Sequence, residues 1–226
     1  MLSALVDLFY PTICMGCGND ETNVDEFLCI HCHTQLPYTG FENISNNATE
    51  KLFWGRIKIK FGSSIFYYIQ GAPIQQIIHQ IKYNNEEKLG IYMGKLMGLK
   101  IKSMLEENNI DICIPMPLHI KKEYKRGYNQ ATLLCKGIQE ICSINFDDKI
   151  IFRTENTSTQ TKKSRIDRWN NVDSIFMIKD VSKIKGKHIL IIDDVITTGA
   201  STEACGQTLL DHGAESISIC GLAYTI

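Results

Sequence analysis

Apolar residues recur along this chain at two spacings. Short unbroken apolar runs bounded by Gly, Pro, Asn or charged residues predict buried strands at 63–69, 111–115, 150–152, 188–192 and 216–222. Between them the apolar positions fall at helical spacing. Ile74, Ile77, Ile78 and Ile81 follow Pro73, and further helices are expected over 88–105, 130–142 and 202–212, the last stopped by Gly213. Strands alternating with helices predict an α/β fold, a doubly wound and mostly parallel sheet. Residues 3–9 read as a short apolar helix, 37–50 as an Asn/Ser/Thr-rich linker, and 155–171 as a polar mobile loop or hood. A boundary near residue 55 divides a small N-terminal module with its linker (1–55) from the α/β domain (56–226).

Composition sharpens this division. The 226 residues are 44% hydrophobic, enough for a substantial core. Residues 1–50 hold seven of the 25 acids and none of the 24 Lys and Arg, so they carry −7 while the remainder carries +6. The basic body suits anionic ligands, and the acidic module is not expected to grip nucleic acid by itself. The opening MLSALVDLFYP lacks a basic stretch and its apolar run is too short to span a bilayer, so no signal peptide or membrane span is expected and the chain reads as cytoplasmic. Nine cysteines in that setting point to metal or burial rather than disulfides.

Four of them form two CxxC pairs, Cys14/Cys17 and Cys29/Cys32. Each pair can wrap two thiolates around one tetrahedral ion, and together they complete a closed four-cysteine zinc site. His31 and His33 are alternative ligands; four thiolates are the simpler set. A closed site leaves no open position for catalysis, so its role is structural or partner-binding. Cys113, Cys135, Cys142, Cys205 and Cys220 lie in apolar contexts and read as small core residues. His79, His119, His188 and His212 read as surface or structural.

The richest stretch is ILIIDDVITTGAS, residues 189–201. A buried strand runs into Asp193 and Asp194, where open α/β sheets bind ligands. Thr197, Thr198, Gly199, Ala200, Ser201 and Thr202 then offer hydroxyls, backbone N–H groups and a helix N-terminus, which suit a phosphate. Acids and loop together suit a phosphorylated ribose. The run resembles the phosphoribosyl pyrophosphate (PRPP) signature of type I phosphoribosyltransferases, which implies that the acids hold the ribose 2′ and 3′ hydroxyls and the loop holds the 5′-phosphate.

Two further groups surround it. The strand 111–115 feeds Pro115, Met116 and Pro117, followed by Lys121, Lys122, Lys125, Arg126 and Gly127-Tyr128-Asn129-Gln130. This set suits a pyrophosphate, though a Lys/Arg run also reads as a solvated helix face. Arg153, Gln160, Arg165 and Arg168 lie on or beside the polar arm, which could close over the ligand. Lys82-Tyr83 reads either as a solvated lysine or as an added cation.

Taken together, the two CxxC pairs, Lys82-Tyr83, Pro115 to Leu118, Arg126 to Gln130, Arg153 with Gln160 and Arg165 to Asn171, and the signature resemble the ComF family over nearly the whole chain. That family joins a zinc ribbon to a phosphoribosyltransferase domain and is linked to PRPP binding and DNA uptake. The body also resembles the transferase half of glutamine amidophosphoribosyltransferases. The chain opens Met-Leu-Ser-Ala where those enzymes need a cysteine, so glutamine use is not expected. Thr197 stands where hypoxanthine-guanine enzymes carry an Asp base, which weakens a purine salvage role. The resemblance implies Mg²⁺ bound with PRPP, Asp193, Asp194 and Arg126 in the reaction, and Lys82, Arg153, Arg165 and the 115–117 loop at the ligand. No residue reads as a general base or as an acceptor-recognition group. Three functions stay open: a phosphoribosyltransferase, a PRPP-regulated component of the DNA-uptake machinery, and a single-stranded-DNA-binding protein.

Overall fold

The computed structural model describes residues 13–19, 27–154 and 175–225. In chain order the elements are α1 (Ile30–Thr34), α2 (Ala48–Lys51), β1 (Gly62–Tyr68), α3 (Pro73–Tyr83), α4 (Glu87–Glu107), β2 (Ile112–Pro115), α5 (Ile120–Arg126), α6 (Gln130–Cys142), β3 (Ile151–Arg153), β4 (Phe176–Ile178), β5 (His188–Ile196), α7 (Ala200–Asp211) and β6 (Ser216–Thr225). The main sheet has the order β1-β6-β5-β2, and every neighbouring pair is parallel. β3 and β4 form a separate antiparallel ribbon, so the strand expected at 150–152 lies outside the main sheet.

Alternate residues of β5 enter different cores. Leu190 and Ile192 pack with the apolar faces of α3, α4 and α6, whereas Ile189 and Ile191 pack with Cys205 and Leu209 of α7. Both sheet faces are therefore covered, which is why this strand reads as a continuous apolar run. Each such buried Leu or Ile contributes about 1.5–3 kcal/mol.

Helices α4 and α6 approach unusually closely. Gly90, Gly94 and Gly98 form a stripe down one face of α4, and Gly137 faces them from α6. A Cβ on Gly94 would strike the Leu134 backbone, and one on Gly137 would strike the Ile91 carbonyl and the Lys95 nitrogen. The helix-propensity cost of each glycine, about 1 kcal/mol, is offset by this packing, which fixes α6 and hence the residues at its start.

Residues 37–50, expected to be a linker, instead pack against β1. Tyr38 bridges antiparallel to Phe66, Tyr67 N–H donates to Pro37 O at 2.8 Å, and Thr39 N–H donates to Ile65 O at 2.9 Å. Asn47 is buried and its Nδ2 donates to Gly62 O and Ile44 O at 2.7 and 2.9 Å, while Thr49 and Ser64 share a hydroxyl hydrogen bond of 2.9 Å. The short polar side chains that signal a linker here satisfy backbone groups and cover the free edge of the sheet.

The cysteine segment is also joined to the body. Cys14, Leu28, Cys29, Cys32 and Leu36 share one buried cluster with Ile65, Ile74 and Ile77, and Phe27 stacks at 5.1 Å on Tyr92 of α4. Cys113, Cys135, Cys205 and Cys220 are buried as expected, while Cys142 is half-buried and its thiol donates to Gly98 O at 3.3 Å. The helix expected at 3–9 and the polar arm at 155–171, with Gln160, Arg165 and Arg168, lie outside the described residues.

Candidate functional site

β2 ends at Pro115, opposite Ile192, whereas β5 continues to Ile196 alongside β6. Asp193 and Asp194 are thus not the last residues of their strand. They lie where the neighbour on one side has stopped, and a cavity of about 270 Å³ opens there. It is lined by Asp193, Asp194, Lys82, Tyr83, Met116, Pro117, Leu118, Lys122, Arg126, Asn129, Gln130, Ala131, Arg153 and Ser201. Pro115 is buried in β2 at its margin. The two acids, Arg126, Lys82 and Arg153 are therefore brought together from four separate stretches of chain.

The acids differ in their settings. Asp194 Oδ2 pairs with Lys82 Nζ at 3.0 Å, so Lys82 is a partly buried, ion-paired lysine lining the cavity rather than a solvated one. Asp193 Oδ1 accepts from the Asp194 N–H at 2.8 Å, and Oδ2 accepts from the Thr202 hydroxyl at 3.3 Å. Burial and then the adjacent Asp194 carboxylate push Asp193 up to about 7, against the pull of these hydrogen bonds and of Lys82. A carboxyl so poised ionises readily when a cation or a hydroxyl-bearing ligand arrives.

The loop from Thr197 to Thr202 turns directly into α7. Thr197, Thr198, Ala200 and Ser201 are exposed, Gly199 and Thr202 are buried, and Ser201 reaches the cavity. Gly199 has a φ of +70°, a left-handed conformation that favours glycine, and a Cβ there would press on Phe53 and Leu52. From the same segment Arg56 donates to Thr198 O at 2.8 Å and to Leu52 O at 3.1 Å, and pairs with Glu203. Sequence reasoning missed Phe53 and Arg56, because their contact with the loop spans more than 140 positions.

On the opposite wall, Asn129 caps α6 by accepting from Ala131 N–H at 3.0 Å, and its Nδ2 donates to Met116 O at 3.0 Å. Tyr128 OH donates to Ile81 O at 2.6 Å, which ties α3 to the same corner. Arg126 lies over the Tyr83 ring at 5.6 Å. A second cavity of about 530 Å³ adjoins this wall, lined by Lys82, Tyr83, Asn84, Asn85, Lys122, Lys125 and Arg126.

At the N-terminal knuckles the four sulfurs of Cys14, Cys17, Cys29 and Cys32 lie within 4.8 Å of one another. Burial works against the Cys14 thiolate, but the N–H groups of Cys29, Cys17 and Gly16 outweigh it and bring the thiol to about 7; burial pushes Cys32 up. A metal cation would offset the cost of gathering such thiolates. The four cysteines could hold a metal ion, and neither His31 nor His33 belongs to the cluster.

A parallel sheet with both faces covered and a phosphate-type loop after its central strand is the architecture of the type I phosphoribosyltransferases. The family model of the phosphoribosyl transferase domain matches residues 127–225. The protein named DNA utilization protein YhgH from Shigella flexneri is 28% identical over 218 residues, 95% of this chain and 91% of that one. Competence protein F from Haemophilus influenzae is 28% identical over 217 residues, 93% of this chain and 90% of that one. A Bacillus subtilis glutamine PRPP amidotransferase aligns with a TM-score of 0.42 and 15% identity over 59% of this chain and 26% of that chain, too distant to carry weight. The chain is thus similar over most of its length to DNA-utilisation and competence proteins, and residues 127–225 match a phosphoribosyl transferase domain.

Proposed function

We propose that this protein binds PRPP with Mg²⁺ at the end of β5 and acts in DNA utilisation or competence, as the names of its relatives suggest. The observation that carries the reading is the convergence of Asp193, Asp194, Lys82, Arg126, Arg153 and Ser201 on one cavity of about 270 Å³. Asp193 and Asp194 would orient the ribose hydroxyls. The loop 197–202 would hold the 5′-phosphate on its N–H groups and hydroxyls. Met116, Pro117, Arg126 and Arg153 would hold the pyrophosphate. When bound, Mg²⁺ would neutralise charge between the pyrophosphate and the ribose hydroxyls. If transfer to an acceptor occurs, positive charge grows on the sugar and negative charge on the departing pyrophosphate, and this set of residues lowers the barrier by positioning and charge stabilisation. Four thiolates fit a closed structural zinc site. None of the described helices is long and apolar enough to cross a membrane, and we place the protein in the cytoplasm.

The test is calorimetric titration of PRPP into wild type and Asp194→Ala, with and without Mg²⁺. Mg²⁺-dependent binding that weakens at least about a hundredfold in the variant is expected, since a charge-assisted contact and the ribose orientation are both lost. Binding unaffected by the variant, or by Mg²⁺, overturns the assignment. A second reading is favoured by one observation. The cavity of about 530 Å³ is lined by four cations and no acid, and Tyr83 beside it is exposed, which suits the backbone and bases of single-stranded DNA. On that reading, DNA affinity falls steeply with salt and with neutralisation of Lys122, Lys125 and Arg126.

A further inference from the structure

One polar group in the cavity has no role in the reading above. Gln130 is only 2% exposed, yet its Nε2 has no hydrogen-bond partner among the described residues. Burying an amide donor unpaired costs about 1–3 kcal/mol, and folded proteins retain few such groups. Gln130 is the first residue of α6, a helix pinned at its start by Asn129 and along its length by the close packing of Gly137 on α4. It lines the site cavity with Asp193 and Asp194, and a small cavity behind it with Lys82 and Asp194. Gln130 and Asp194 therefore line the same two cavities, Gln130 from a rigid support.

Complementarity then narrows what lies between them. Lys82 is already committed to Asp194 at 3.0 Å. An ionised carboxylate can only accept a hydrogen bond, and the Gln130 Nε2 can only donate. A single ligand atom facing both must accept from one and donate to the other. A phosphate oxygen meets the first demand but is repelled by Asp194. A hydroxyl meets both. We infer that Gln130 donates to the oxygen of the same ribose hydroxyl whose hydrogen Asp194 accepts, and that this pair selects ribose over deoxyribose at the site. The inference rests on the phosphoribosyl reading of the cavity and adds to it a specificity-determining residue. An analogue lacking the hydroxyl leaves the Gln130 amide buried and unpaired, the circumstance in which a binding site discriminates most strongly.

The experiment compares wild type, Gln130→Leu and Gln130→Glu. PRPP with Mg²⁺ is titrated by calorimetry, and ribose 5-phosphate, 2-deoxyribose 5-phosphate and 3-deoxyribose 5-phosphate are tested as competitors. Wild type is expected to prefer ribose 5-phosphate over one of the deoxy sugars by at least about tenfold. Gln130→Leu is expected to bind PRPP about tenfold more weakly and to lose that preference. Gln130→Glu, similar in size but with no donor when ionised, should lose as much or more. The thermal midpoint of ligand-free Gln130→Leu should equal or exceed that of wild type, because an unpaired buried amide has been removed. A lower midpoint shows the amide bonded within the folded chain and overturns the inference. Wild-type binding of PRPP with unchanged sugar preference in Gln130→Leu overturns it alone. Failure of wild type to bind PRPP overturns the phosphoribosyl reading and takes this inference with it.

Discussion

The two ends of the parallel sheet follow opposite rules. Where β5 and β6 begin, the polar groups around His188 are paired. His188 is 4% exposed, yet its Nδ1 donates to Asn108 O at 3.0 Å and its Nε2 accepts from the Ser218 hydroxyl at 2.8 Å. Asp111 accepts from the His188 N–H at 2.7 Å and returns its own N–H to His188 O at 3.0 Å, while Lys60 donates to Asn108 O at 3.0 Å. Where the strands end, two carboxylates lie side by side with only Asp194 ion-paired, and a buried amide donor lacks a partner among the described residues. One end is arranged for stability. The other leaves interactions incomplete, as expected where stability is traded for function.

The largest test of this contrast is at the beginning of the strands. His188→Ala removes a packed ring and leaves Ser218 and Asn108 without their partner, at a cost of about 3 kcal/mol. The denaturation midpoint should fall accordingly, while affinity for PRPP stays within about twofold, since distant sites add independently. A parallel loss of affinity would show the two ends to be coupled and break the comparison.

The pH dependence separates the ends next. Burial lowers the proton affinity of His188, helped by Lys60 and opposed by the Asn108 carbonyl, Asp111 and Glu215. An unfolded histidine takes up its proton near 6.5, the folded one only at lower pH, so this group removes stability as pH falls below about 6.5. Asp193 acts in the other direction. It ionises near 3.8 when unfolded and near 7 when folded, so it removes stability as pH rises between those values. Asp193→Asn should therefore raise the thermal midpoint above pH 7, by an amount on the order of 1–2 kcal/mol, and change little near pH 4. PRPP binding should also release protons at pH 6.5, seen as a buffer-dependent binding enthalpy in wild type and lost in the variant. An unchanged pH profile in Asp193→Asn would mean that the paired acids are not under electrostatic strain.

The same contrast explains what could be read from the chain. Asp193, Asp194 and the 197–202 loop are contiguous in sequence, and the strand–loop–helix chemistry that joins them is local. The helices over 73–83 and 130–142 were legible because each buries one face, leaving an apolar spacing in the sequence. Lys82 read either as a solvated lysine or as an added cation, and its ion pair with Asp194 was not legible because the two lie more than a hundred positions apart. The segment 37–50 was misread for a related reason: Asn47 and Thr49 have the composition of a loop, and only the fold reveals that their side chains bond to β1. The glycine stripe of α4 was written in the sequence but gains meaning only against Gly137. His188 looked structural and is so, although nothing in the sequence named Ser218 or Asn108 as its partners.

The smallest effect concerns Arg56, which supports the ligand end of the sheet from outside the cavity. Its guanidinium reaches three acceptors, the carbonyls of Leu52 and Thr198 and the carboxylate of Glu203 in the first turn of α7. The ion pair is about one-third exposed and contributes little to stability by itself. Its consequence is positional, because Thr198 precedes Gly199, whose left-handed turn leads the loop into α7. Arg56→Ala should leave the midpoint within about 1 kcal/mol of wild type and weaken PRPP about fivefold. Arg56→Lys keeps the charge but cannot fork across three acceptors, so it should resemble the alanine variant rather than wild type. Hydrogen exchange of the amides from Thr198 to Glu203 should quicken in both variants before any ligand is added. Full rescue by lysine would reduce Arg56 to a surface charge and leave the loop held by Phe53 and Leu52 alone.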